Sequence, residues 1–131
     1  MAVQVISKYA ALIFAFASGG VVLFQIALVL GAPWGEFTLG GRWKGRLPGR
    51  VRLIPLFSIA LLVFFCVVVL ARADFLGLAS WAYLPWLMWV VVAYCLLGCI
   101  ANAFTPSRIE RMLWLPVVAS MLAASVIVAL S

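Results

Sequence analysis

Residues 31–52 read GAPWGEFTLGGRWKGRLPGRVR, and they decide the fold because they form the one long segment that is not apolar. The segment holds five of the nine basic residues, one of the three acids, six of the ten glycines and two of the six prolines. Glycine and proline at this density prevent regular structure. A short amphipathic piece around Phe37 to Trp43 is still compatible with the membrane interface. On either side the chain turns into long hydrophobic runs.

The whole chain of 131 residues is 69% hydrophobic and 9% charged, whereas soluble domains carry about a quarter charged residues. A small soluble fold leaves a large share of its surface in water and has nowhere to hide this much apolar material. Hydrocarbon solvates such a surface without cost. The reading is an all-α integral membrane protein, a four-helix transmembrane bundle forming a single domain over residues 1–131.

Working outward from the loop, span one covers about residues 9–30, the length of one bilayer crossing. It follows a single basic residue, Lys8, and reads as a span retained in the mature protein rather than a cleaved leader. Its small residues Ala11, Ala15 and Gly19 suggest a stripe where another helix approaches closely. Gly31-Ala32-Pro33 stops it. Span two covers about 53–71, with Pro55 in its first turn, and Arg72-Ala73-Asp74 closes it. Span three covers about 80–101, and Trp81, Tyr83, Trp86 and Trp89 give it an aromatic belt, with Pro85 set to kink that end. Span four covers about 112–130, contains Pro116, and is announced by Thr105-Pro106-Ser107-Arg108-Ile109-Glu110. Ser107 with Glu110 has the form of a capping box, and Thr105-Pro106 offers an alternative start.

The loops after spans one and three carry Arg42, Lys44, Arg46, Arg50, Arg52, Arg108 and Arg111, while the other side has Lys8 and Arg72. The positive-inside rule then puts loops 31–52 and 102–111 in the cytoplasm and both termini outside. The net charge of +6 accordingly faces anionic headgroups, not nucleic acid.

Polar groups near this inner side are the functional candidates. Gln25 and Asn102 either lock helix packing through backbone bonds or each other, or line a cavity open to the cytoplasm. Glu36 is expected to pair with Arg50, Arg52 or an arginine opening span four. The basic loop is first a topology determinant, and its sharper reading is a phosphate or headgroup site, with Trp34 and Trp43 seated at headgroup level. Cys66, Cys95 and Cys99 lie in apolar runs; without histidine or a CxxC pair they read as packing residues, with no metal and no cofactor expected. A chain without histidine is also poor in acid–base groups, leaving Glu36, Glu110, Asp74, Tyr94 or a cysteine for any catalysis.

Gly31-Ala32-Pro33-Trp34-Gly35-Glu36, together with the run from Ser107 to Pro116, resembles a group of small bacterial four-span membrane proteins. Those proteins carry a similar GAPWGE segment after span one and a similar S-R-x-E-R-x-x-W-x-P segment opening span four. The likeness brings no activity with it. It implies that the two inner segments belong together and a location in the bacterial inner membrane. Trp34, Glu36, Arg52, Asn102, Arg108, Glu110 and Arg111 are the positions it marks, and Gln25 joins them on its own chemistry.

Taken together, the sequence predicts a non-enzymatic protein that binds or passes a small anionic or amphipathic ligand at the inner mouth, in contact with membrane lipids. Passage through so few spans would call for a homo-oligomer. Two rivals stand beside it: a lipid-modifying enzyme using Glu36 and the arginines, and an accessory subunit docked to a partner membrane protein.

Overall fold

The computed structural model describes residues 2–75 and 85–131. These residues form four α-helices: α1 (Ala2–Val29), α2 (Leu53–Arg72), α3 (Pro85–Ala103) and α4 (Arg108–Leu130). All four are long and apolar enough to cross a membrane. In water the exposed side chains would be untenable: Phe16 is 81% exposed, Leu23 70% and Phe57 67%. In hydrocarbon the same faces are simply solvated, and the chain is a multi-pass membrane protein.

Helix ends follow local chemistry. Gly31, at φ 98°, terminates α1. The Gly31 N–H donates to the Leu28 carbonyl and the Ala32 N–H to that of Ala27, the paired bonds of a Schellman cap. Asp74 plays the same part after α2 at φ 67°, with the Phe75 N–H donating to Leu70 and its own to Ala71. Pro85 is the first described residue of α3. Trp86 and Trp89 lie exposed close to it; the expected start at Ser80, with Trp81 and Tyr83, and the expected kink into that end lie outside the described residues. α1 begins seven residues before the apolar run, at Ala2, and α4 begins at Arg108 rather than Met112, since helix can extend past hydrocarbon into the headgroup layer. Loop 31–52 contains two single 3-10 turns, Gly35–Phe37 and Leu39–Gly41, instead of an amphipathic helix.

Ser107 caps α4, its Oγ accepting from the Glu110 N–H at 3.2 Å. Thr105-Pro106 does not start the helix. The same hydroxyl donates to the Glu36 carbonyl at 3.3 Å, so one side chain ties a helix start to a distant loop. Ser107→Ala is expected to lower stability by about 0.5–2 kcal/mol, the usual loss for an N-cap, measured by thermal unfolding in detergent.

α1 packs against α2 and α4, α4 packs against α3, and α2 and α3 meet only lightly. The helices therefore follow the spatial order α2, α1, α4, α3, with one loosely closed side. The packed core lies in the half remote from the loop. It joins Ala10, Ala11 and Phe14 of α1 to Leu62, Phe65 and Val68 of α2. From the other pair it takes Met88, Val91 and Cys95 of α3 and Met121, Ala124 and Val128 of α4. Buried Ser18 and Ser125 donate to their own helices, at the Ala15 and Leu122 carbonyls, so their hydroxyls reach hydrocarbon depth already satisfied.

The small-residue stripe does not make one surface. Ala11 is fully buried in the core, whereas Gly19 is exposed, and a Cβ there would meet nothing within 4 Å. A four-residue step on a helix overshoots a full turn by about 40°, which carries the stripe from the core out to the lipid face.

Candidate functional site

Loop 31–52 is folded against the start of α4, so the two segments do lie together. Glu110 fastens them: its Oε2 accepts from the Gly40 N–H at 2.8 Å and from the Thr105 hydroxyl at 3.0 Å. The Gly40 N–H reaches it because Leu39, Gly40 and Gly41 all adopt left-handed backbone, at φ 51°, 72° and 74°, a turn that glycine makes cheaply. The Ser107 N–H turns back to the Thr105 hydroxyl, so only half of the expected capping box forms. Trp114 adds a third tie, its indole N–H donating to the Phe37 carbonyl at 2.8 Å. Phe24 of α1 stacks on Trp34 at 6.0 Å between ring centres and meets Trp114 at 4.7 Å.

Beneath this roof the four helices part around a cavity of about 370 Å³, within the range of small-ligand pockets. Leu62, Leu97, Val118 and Met121 give it apolar walls; Gln25, Thr38, Ser58, Tyr94, Asn102 and Glu110 line it too. A second space of about 340 Å³ between α2 and the loop shares Gln25, Thr38, Ser58 and Tyr94 with the first. The two spaces share a wall on the loosely closed side of the bundle.

The expected site residues divide here. Gln25, Asn102 and Glu110 stand on the cavity wall. Asn102 and Gln25 do not bond each other. Asn102 Nδ2 donates to the Gly98 carbonyl one turn back at 2.7 Å, while the Gln25 amide makes no hydrogen bond among the described residues. Trp34, Glu36, Arg52, Arg108 and Arg111 are not on the wall. Trp34 acts through its stack on Phe24. Arg52 Nε donates to the Leu47 carbonyl at 2.9 Å and Arg111 to the Thr105 carbonyl at 3.2 Å, so both arginines brace backbone. Arg108 is exposed.

Glu36 corrects an expectation. Among the described residues no ion pair joins it to Arg50, Arg52 or the arginines of α4; its contribution is its main-chain carbonyl, bonded to Ser107. The surplus of arginines around a lone acid suggested pairing, but the loop is held by directed bonds to backbone. Ser58 and Thr38 are further wall residues. Ser58 carries the one hydroxyl in α2 and was findable on that ground, whereas Thr38 reaches the wall only through the fold of the loop.

Cys66, Cys95 and Cys99 are free thiols, and Cys95 lines the cavity. Among the described residues no group of three metal-ligating side chains comes together.

Fold and cavity together define a class: a helical-bundle membrane protein with an internal cleft beneath one polar, basic end. Comparison with protein-family models, curated proteins and solved structures finds no match to this chain.

Proposed function

We propose that this is a non-enzymatic membrane protein that binds a small amphipathic ligand in the cleft under loop 31–52, in the manner of a carrier or receptor. One observation supports the reading above the others: a cavity with apolar walls and an amide, Gln25, that has no bonding partner among the described residues. An amide at membrane depth gains from a partner, and a bound head group supplies one. The Glu36-based enzyme has less support, because Glu36 and the arginines lie off the wall. Passage of the ligand across the bilayer would need a second copy of the chain, since the core fills the remote half of this bundle.

The basic end faces the cytoplasm of a bacterial inner membrane in this proposal. The contacts of Ser107 and Glu110 with the loop gather seven basic residues at one end. At the other end Arg72 reaches the Ser131 carbonyl and Lys8 lies over Phe75. Seven against two is the asymmetry that sets orientation. The bacterial inner membrane is what the resemblance to the GAPWGE-bearing group implies.

Cysteine labelling tests both parts. In a variant with Cys66, Cys95 and Cys99 changed to Ala, Lys44→Cys is probed with an impermeant thiol reagent in sealed vesicles of known sidedness, and Gly98→Cys with a membrane-permeant maleimide. Lys44→Cys is expected to react from the cytoplasmic face alone, and added dodecyl amphipath is expected to slow only the cavity position. Reaction of Lys44→Cys from the other face would overturn the orientation, and a Gly98→Cys rate that the amphipath leaves unchanged would count against a ligand in the cleft.

A further inference from the structure

The chemistry of the cavity wall restricts what can bind there, and its geometry restricts how the ligand arrives. On the first point, the wall offers unpartnered acceptors and carries a negative charge. Both bonds to Glu110 fall on Oε2, leaving Oε1 unpartnered among the described residues. Asn102 spends an N–H on Gly98, which leaves its Oδ1 likewise. The Gln25 amide adds a third acceptor oxygen together with N–H donors that a neutral head can also engage. Ser58, Thr38 and Tyr94 bear hydroxyls that can either donate or accept. The one formal charge on the wall is the Glu110 carboxylate, because Arg52 and Arg111 are turned to the Leu47 and Thr105 carbonyls and Arg108 is exposed. An anionic head would meet a like charge across a low-dielectric space; a donor head would meet acceptors.

On the second point, three sides are shut. The loop and the Glu110 clasp form the roof, Phe24 against Trp114 closes the α1–α4 side, and Phe65 against Tyr94, at 5.0 Å, marks the floor where α2 and α3 touch. Above that contact, Ser58 and Leu62 of α2 face Leu97, Gly98 and Ala101 of α3 across the cavity. A Cβ at Gly98 would meet nothing within 4 Å, and Leu97 is 66% exposed. This is the side that opens toward lipid.

Resting on the ligand-binding reading above, we infer that the cleft receives the chain of an amphipath sideways from the bilayer, between α2 and α3. Its head donates hydrogen bonds and bears no negative charge, as in a long-chain amine or alcohol. Of the two characters expected of the ligand, anionic or amphipathic, this assignment takes the second. The tail lies along Leu62, Leu97, Val118 and Met121, and the head sits among Gln25, Asn102 and Glu110.

The test uses three photoreactive probes of one chain length, diazirine-tagged hexadecylamine, hexadecanol and hexadecyl sulfate, added to the full chain in liposomes. Crosslinked peptides are then mapped by mass spectrometry. The amine and the alcohol are expected to label Leu62 and Val118, with the amine favoured over the sulfate by about ten-fold, equivalent to about 1.4 kcal/mol. Gly98→Leu, which fills open space, is expected to abolish labelling inside while lipid-facing positions such as Phe57 still react. Glu110→Gln is expected to remove the preference of amine over sulfate, and Gln25→Leu to weaken both donor probes should the Glu110 variant fail to fold. Labelling by the sulfate equal to that by the amine overturns the donor-head assignment and leaves ligand binding standing. Cavity labelling that survives Gly98→Leu overturns the sideways route. Absence of cavity labelling by all three probes overturns the binding reading itself. In nanodiscs of the native membrane, a lipid displaced by the amine identifies the ligand as a membrane component, and binding without displacement identifies an amphipath arriving from outside; both support the assignment.

Discussion

Glu110→Ala is expected to loosen loop 31–52 on α4 and to lower stability by about 3–4 kcal/mol. The carboxylate accepts two hydrogen bonds on one oxygen, from the Gly40 N–H and the Thr105 hydroxyl, and bonds to a charged group contribute about 1.5–3 kcal/mol each. The lower part of the summed range is expected, because Gly40 is partly exposed at the bundle end and water can replace its lost acceptor, whereas Thr105 is buried. The loop keeps the ties from Trp114 and Ser107, so it loosens without leaving. Trypsin reads this directly, since Arg42, Lys44, Arg46 and Arg50 are already exposed on the loop. With the basic face accessible, cleavage between residues 42 and 50 should accelerate in the variant, and thermal unfolding in detergent should shift down. A cleavage rate equal to wild type would show that the clasp does not hold the loop.

Gly35→Ala is expected to be as damaging for a different reason. Gly35 is buried, and its N–H donates to the Gly45 carbonyl at 2.8 Å. A Cβ at this position would overlap the Trp43 carbonyl oxygen and lie 2.7 Å from that of Gly45. Both obstacles are backbone, which has no rotamer to change, so the two strands of the loop must separate. Overpacking costs about 1–3 kcal/mol where side chains can adjust, and the upper end or more is expected here. Gly49→Ala is the control: its Cβ would meet nothing within 4 Å. Loop proteolysis should rise for the first variant and stay at the wild-type rate for the second. Equal behaviour of the two would mean that the close approach of residues 35 and 43 is not needed for the loop to close.

The helices were legible because hydropathy is a property of composition over about 20 residues, and a bilayer accepts few other solutions. The stop at Gly31 and the cap at Ser107 were legible because each rests on local chemistry. The Glu110 side chain was not: spacing from Ser107 suggested a reach back to the cap, whereas the fold offers the Gly40 N–H seventy residues away in sequence. Glu36 misled in the opposite way, since opposite charges close in sequence imply a pair only if the backbone turns them together. Gln25 and Asn102 could be singled out as amides in hydrocarbon, but whether they met each other or a cavity depended on how α1 and α3 are spaced by α4. The small-residue stripe failed because its four-residue period drifts around the helix.

The spatial order of the helices has a consequence for how the molecule is made. Each sequence-adjacent pair, α1 with α2 and α3 with α4, packs as its own antiparallel hairpin, and the α1–α4 seam joins them. During synthesis the first hairpin can complete its contacts while the ribosome still holds the second, so a single docking step between finished pairs completes assembly. Gly40 emerges long before the carboxylate that clasps it, so the basic segment waits unfastened on the membrane surface until α4 arrives. Closure of the roof thereby reports that α4 has been inserted.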